Sequence, residues 1–246
     1  MTFWRAVALA ALLVALVVYG AVAEHLFGLP SGVDVAFHAI VVVPAFTATV
    51  WLALPLARTR SAVLLVAAAV AALAAVGLGV IDFDSAGNSA KLACYGLLGF
   101  WFLSLFEELW WIALVSVLVP WVDVWSVAFG PTRYVVEEQP GFFEQISVAF
   151  PNLGEAATLL IGPPDILFFA LFLATADRFR LRVPWTWLGM TALLGATLVL
   201  VSIWEGITGL PALPAVCLGF LLPNADLLWS NVQEAWRSRQ AESEMP

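Results

Sequence analysis

The sequence predicts an all-α fold, a polytopic transmembrane helical bundle of about eight spans. Three observations predict it. Of 246 residues, 63% are hydrophobic and 11% are charged, and mean hydropathy is +0.97. A soluble domain of this length needs far more charge on its surface, so most of this surface faces lipid. Apolar runs long enough to span, about 20 residues each, recur along the chain. Many of the twelve Trp, among them Trp4, Trp110, Trp111, Trp185, Trp187, Trp229 and Trp236, fall near the ends of those runs, where an indole meets both lipid and water. Lipid offers the backbone no hydrogen-bond partners, so the spans close their bonds internally as helices.

The runs are residues 4–23, 35–56, 61–81, 91–106, 109–129, 156–176, 185–206 and 210–229; the fourth is short. Polar or turn-forming stretches separate them: Gly28-Leu29-Pro30-Ser31-Gly32, Arg58-Thr59-Arg60, residues 82–88, Glu107-Glu108 and Arg178-Phe179-Arg180-Leu181-Arg182. The first run resembles a signal peptide, with Arg5 before the apolar core and Ala21-Val22-Ala23 as a small-x-small pattern, but its length favours an uncleaved helix. Residues 1–236 read as one integral membrane domain, with N-terminal helices over 4–106 and a second half over 107–229, followed by a polar, disordered tail at 237–246.

Basic residues set the orientation. Eight spans put Arg5, Arg58, Arg60, Arg178, Arg180, Arg182, Arg237 and Arg239 on one side and Lys91 and Arg133 on the other. The excess places both termini in the cytoplasm of a multi-pass protein of the cell membrane. The longest connection, 130–155, then faces outward. It carries Glu137, Glu138, Glu144 and Glu155 beside Phe142, Phe143, Ile146 and Phe150, which suits an amphipathic piece lying on the membrane surface. A net charge of −8 argues against nucleic acid. Cys94 and Cys217 read as small buried hydrophobes. His25 and His38 read as structural, no Cys/His cluster implies a metal, and no cofactor is implied.

Of 18 acidic residues, Asp123 and Asp165 are the two well inside apolar runs. A carboxylate there costs a few kcal/mol on translocon scales, so each is a functional candidate. At 1.5 Å per residue Asp123 lies roughly 9 Å and Asp165 roughly 14 Å from the outer end of its run. The two runs are consecutive and antiparallel, so the carboxylates can meet. A pair in contact shares one proton, one acting as base on water and the other as acid toward a carbonyl. The same residues equally suit a proton or ion path, or plain hydrogen bonding between helices.

Pro163 and Pro164 disfavour helix just before them, Gly162 adds flexibility, and a new helix is expected to start near Asp165. The segment 156–161 is then unwound, an edge to which an extended peptide could add. A plain proline kink is the simpler alternative. Pro211-Ala212-Leu213-Pro214 sets a rigid start to the last run, or simple punctuation after Gly206 and Gly209.

In this order and spacing the motifs resemble the presenilin and signal peptide peptidase family of intramembrane aspartyl proteases, over residues 107–229. The family carries Tyr-Asp, then Gly-x-Gly-Asp, then Pro-Ala-Leu. Here the matching stretches are Val122-Asp123, Gly162-Pro163-Pro164-Asp165 and Pro211-Ala212-Leu213-Pro214. Gly130-Pro131-Thr132-Arg133 with Glu137 is similar to presenilin, and Asp165-Ile166 with Asp177-Arg178-Phe179 is similar to signal peptide peptidase. The chain departs from the pattern at Val122 and Pro164. The resemblance implies a nine-helix presenilin-like fold, one helix more than the eight runs. It also implies catalysis by Asp123 and Asp165 with support from Gly162, Pro163, Pro164 and residues 211–214, the signal peptide peptidase orientation, and transmembrane or signal-peptide segments as substrates. Its rivals are a transporter or ion-conducting protein that uses the same aspartates as proton relays, and a catalytically silent relative.

Overall fold

The computed structural model describes residues 1–154, 158–203 and 211–243. Among these, the chain is a helical bundle carrying one two-stranded hairpin. Helix α1 (Phe3–Val22) is followed by α2 (Ser31–Phe37), which passes through a π turn (His38–Val42) into α3 (Val43–Ala53). The π turn sits just before Pro44, which has no N–H to give and whose ring crowds the preceding turn, so the helix widens there without breaking. After a 3-10 turn (Leu54–Arg58) come α4 (Ser61–Val80), α5 (Asp84–Leu103) and α6 (Leu109–Phe129). Two short helices, α7 (Pro131–Glu138) and α8 (Pro140–Ile146), lead to strands β1 (Val148–Pro151) and β2 (Thr158–Ile161). Helices α9 (Pro163–Arg178), α10 (Val183–Ile203) and α11 (Leu213–Ser243) complete the chain.

Six helical segments are long and apolar enough to cross a membrane: Phe3–His25, Ser31–Arg58, Ser61–Val80, Leu109–Phe129, Val183–Ile203 and Leu213–Glu234. This is a membrane protein. The other two apolar runs fold as α5, which carries Asn88, Ser89 and Lys91, and α9, which has 16 residues. Large apolar side chains on the outer helices point away from the bundle. Val66 and Leu73 of α4, Trp121 and Trp125 of α6 and Ile203 of α10 are all exposed, as lipid-facing residues must be.

The core is organised around α9. From Phe169 to Ala176 every residue is buried. A helix apolar on all faces belongs in the middle of a bundle, and α5, α10, α11 and α6 all touch it. Phe172 stacks on Phe220 of α11 with ring centroids 4.8 Å apart. Small residues let the backbones close. A Cβ at Gly99 of α5 would sit 2.7 Å from Ala170 Cβ, and one at Gly189 of α10 would sit 2.8 Å from the Gly219 carbonyl oxygen of α11. Lipid tails supply little hydrophobic drive between helices, so such close packing carries their association.

Three expectations need correction. Residues 158–161 are extended, as the proline break implies, so the depth reckoned for Asp165 along a continuous helix does not apply: it lies in the first turn of α9 and not nine residues along a span. The connection 130–155 does not all lie on the surface. Its β1 end enters the core, where Phe150 stacks on Phe46 at 5.4 Å, because its alternating apolar residues find a dry face on α3 and α5. The polar tail is not disordered as far as Ser243, because α11 continues to that residue. The run ends at Gly206 and Leu210, the punctuating Gly209, and Glu155 and Ala156 fall outside the described residues.

Gly99→Leu is expected to destabilise the bundle by about 1–3 kcal/mol through overpacking against α9. Gly77→Leu on α4, with nothing within 4 Å of its Cβ position, is expected to be neutral. Thermal unfolding in detergent checks the pair.

Candidate functional site

Gly162 caps α9 in an extended conformation (φ −67°, ψ 150°), and Pro163 and Pro164 fill its first positions. Proline fits there because those N–H groups have no partner within the helix anyway. Asp165 is therefore the first residue of the helix with an amide to give, and it donates to the Gly162 carbonyl at 3.2 Å. Gly162 has an ordinary φ, and a Cβ there would meet Asp165 Oδ2 at 3.4 Å, an ordinary van der Waals contact, so neither its backbone conformation nor its space demands glycine.

Asp123 lies one turn beyond Pro120 in α6 and is half-buried. Its Oδ2 accepts the Leu213 N–H at 3.1 Å. Leu213 opens α11, where amides lack helical partners, and Pro214 beside it has none to offer. The Pro-Ala-Leu-Pro stretch thus delivers one backbone donor to the α6 carboxylate. Asp165 lies within electrostatic reach of Asp123. Helices α6, α9 and α11 all touch one another, so the three stretches picked out in the sequence lie on mutually packed elements.

Not every predicted neighbour joins them. Val122 is 63% exposed and points away from the bundle. Pro164 is exposed at the head of α9, and Pro163, Pro211, Ala212 and Pro214 are half-buried. Cys217, one turn into α11 from Leu213, is buried as a free thiol and also feels the Asp123 charge.

The hairpin leads straight into this place. β1 and β2 are antiparallel, with Val148 opposite Ile161 and Pro151 opposite Thr158. On its far side β1 is stitched to the N-terminal helices. The Ala149 N–H donates to Asn88 Oδ1 at 3.2 Å, and the Pro151 carbonyl accepts the Tyr19 hydroxyl at 2.5 Å. Lys91 Nζ donates to the Ser147 carbonyl at 2.9 Å and the Tyr95 hydroxyl to the Ile146 carbonyl at 2.5 Å. Ala149 and Pro151 thus turn their backbone groups away from β2. Alternation along an antiparallel pair then turns those of Leu160 and Thr158 away from β1. Among the described residues nothing bonds them there. The outer edge of β2 is open, and it runs through Ile161 and Gly162 to Asp165.

One buried polar group is not evident from the sequence. Asp34, in the first turn of α2, is 6% exposed. Its Oδ1 accepts the Leu153 N–H at 3.2 Å, and its Oδ2 lies 3.3 Å from His38 Nδ1. His38 Nε2 faces the Tyr19 hydroxyl at 3.2 Å. This chain of Asp34, His38 and Tyr19 holds both the end of β1 and the turn after it. The Asp-x-x-x-His spacing on an apolar helix is the available signal, since residues four apart share a helix face.

No protein-family model, no curated protein and no solved structure matches this chain.

Asp34→Ala would leave the buried Leu153 N–H without its partner, while His38 Nδ1 keeps the residue-34 backbone carbonyl at 2.9 Å, and is expected to cost about 1–3 kcal/mol of stability. Asp34→Asn keeps an acceptor and should cost less. Thermal unfolding of both variants, with hydrogen exchange at the Leu153 amide, reads the difference.

Proposed function

We propose that the protein is an intramembrane aspartyl protease of the presenilin and signal peptide peptidase type. The observation that carries the proposal is the Leu213 N–H on Asp123 Oδ2. It brings the third motif onto a carboxylate that lies within electrostatic reach of the second motif's aspartate. A proton path needs carboxylates, but it does not need a proline-framed amide beside them.

The chemistry requires one carboxyl of the pair ionised and the other protonated. The ionised one takes a proton from water, and the water oxygen bonds to the scissile carbonyl carbon. The protonated one gives its proton to the carbonyl oxygen. Collapse of the tetrahedral intermediate breaks the C–N bond, and a proton passes to the leaving nitrogen. The open edge of β2 supports substrate binding in this scheme. An unwound transmembrane segment adding as a third strand would bond to Thr158 and Leu160 and be guided toward Asp165. Transmembrane peptides, including signal-peptide segments, are the proposed substrates.

In this reading α5 and α9 are buried spans, bringing the total to eight, and the arginine-rich side faces the cytoplasm with both termini. Cleavage of substrates with a cytoplasmic N-terminus follows from that orientation.

Purified protein in liposomes is expected to cleave a transmembrane peptide. Asp123→Asn and Asp165→Asn should each lose at least about 100-fold in rate, the usual scale of acid–base assistance. The pH–rate profile should be bell-shaped, because the pair works only in its singly protonated form. An aspartyl transition-state-analogue inhibitor should label wild type and not Asp123→Ala. Folded wild type that neither cleaves nor labels would overturn the proposal. Gradient-driven proton flux lost in Asp165→Asn would then favour the transporter.

A further inference from the structure

At the opposite end of α9 lies a pocket of about 520 Å³. It is framed by the 3-10 turn that ends at Arg58, the start of α4, and the C-terminal ends of α5 and α9. Its charged lining is Arg58, Asp177, Arg178 and Arg180. Three guanidinium groups against one carboxylate leave an excess of positive charge.

The donors are unevenly used. Arg58 Nε and Nη2 hold Asp177 through two bonds of 2.9 Å, leaving Nη1. Arg178 gives Nη1 to the Leu103 carbonyl at 3.1 Å, leaving Nη2 and Nε. Arg180 follows α9 in a left-handed conformation (φ 56°), exposed and with no hydrogen-bond partner among the described residues. The nearby hydroxyls of Thr59 and Ser104 are committed to the Leu56 and Trp101 carbonyls. The free donors in the pocket are therefore guanidinium groups, whose planar forks match phosphate oxygens. The inner wall is apolar: Leu64 and Phe100 are 3% and 2% exposed. The volume falls within the range of about 300–1,000 Å³ typical of small-ligand sites.

We propose that this pocket binds the phosphate headgroup of an anionic phospholipid, with the guanidinium groups on the phosphate and the glycerol end against Leu64 and Phe100. Phosphate is the recognised chemistry, and position selects its source. The pocket lies at the ends of spans, next to the lipid-facing flank of α4, where Val63 and Val66 are exposed. Basic pockets between helices at the membrane surface suit anionic headgroups. The inference does not depend on the protease reading, and either can fail alone.

The test uses full-length protein in a zwitterionic detergent, titrated with short-chain phosphatidylglycerol, phosphatidylcholine or inorganic phosphate and followed by thermal unfolding and native mass spectrometry. Phosphatidylglycerol is expected to bind and raise the unfolding temperature, while phosphatidylcholine and inorganic phosphate at equal concentration do not. The Arg58→Gln/Arg180→Gln variant should weaken phosphatidylglycerol binding about tenfold or more. Arg180→Gln alone, which breaks no hydrogen bond among the described residues, should weaken it in part. Arg237→Gln, outside the pocket, should leave it unchanged. Undiminished binding in the double variant, or an equal loss in Arg237→Gln, would overturn the proposal. An equal response to inorganic phosphate would assign the pocket to a soluble anion and overturn the lipid.

Discussion

The structure depends on α9 being apolar on every face. Such a helix has no side to offer water and gains nothing from a peripheral position, so the other helices close around it. Two consequences follow for its ends. Its first turn carries Asp165 into the interior, because Gly162-Pro163-Pro164 stops the helix there and turns the preceding chain into β2. Its C-terminal end puts Asp177 and Arg178, with Arg180 just beyond, where several helices end together and where Arg58 pairs with Asp177. One buried helix thus sets both polar sites of the molecule. The close approach at Gly99 explains how α5 comes near enough to cover it.

The bundle's two halves are joined by different forces. Around α9, α10 and α11 the contacts are mostly apolar, with glycines at the crossings. Hydrogen bonds there centre on Asn224, whose Nδ2 donates to Thr186 Oγ1 at 2.7 Å and whose Oδ1 accepts the Arg182 amide at 3.0 Å. Between the N-terminal helices and the hairpin the contacts are polar and long in sequence. Tyr19, Asp34, Asn88, Lys91 and Tyr95 all reach backbone groups of residues 146–153. A strand inside a membrane bundle has no water to satisfy its outward groups, so side chains from α1, α2 and α5 take that role. The N-terminal helices match the proposed family only in character, and what they do in this fold is hold β1.

Much of this is legible in the sequence, and the failures have physical causes. The bounds of α6, residues 109–129, are readable because the helix is uniformly apolar and is flanked by Glu107-Glu108 and Gly130-Pro131. That Asp123 and Asp165 stand on helices packed against each other follows from cost: a carboxylate among apolar residues has few stable places, and adjacent helices offer one. The hairpin is only half visible. Pro163 and Pro164 announce the break, but β1 looks like surface loop, because Phe150 and Val148 gain their burial only from α3 and α5, which are distant in sequence. Asp34 draws no notice because it stands near a helix start, where an acidic residue is ordinary. Only the fold places Leu153 and His38 against it.

The open edge of β2 is the feature hardest to explain as mere architecture. On the outer side of β1 the Ala149 N–H and the Pro151 carbonyl have partners, supplied at the cost of polar residues on apolar helices. Leu160, one strand away and half-buried, has none on its outer side among the described residues. An unmet backbone pair out of water costs free energy on the scale of a lost hydrogen bond each. Exposed edges are also prone to pairing with other chains. Asn88 and Tyr19 serve the outer edge of β1, whereas among the described residues nothing serves that of β2 just before Asp165, an asymmetry that the proposed strand addition would use. Water could satisfy the edge between visits, and water is also what the carboxylate pair would need as a reactant. In the proposed reaction the same opening would serve both requirements, which links strand addition to hydrolysis in that reading.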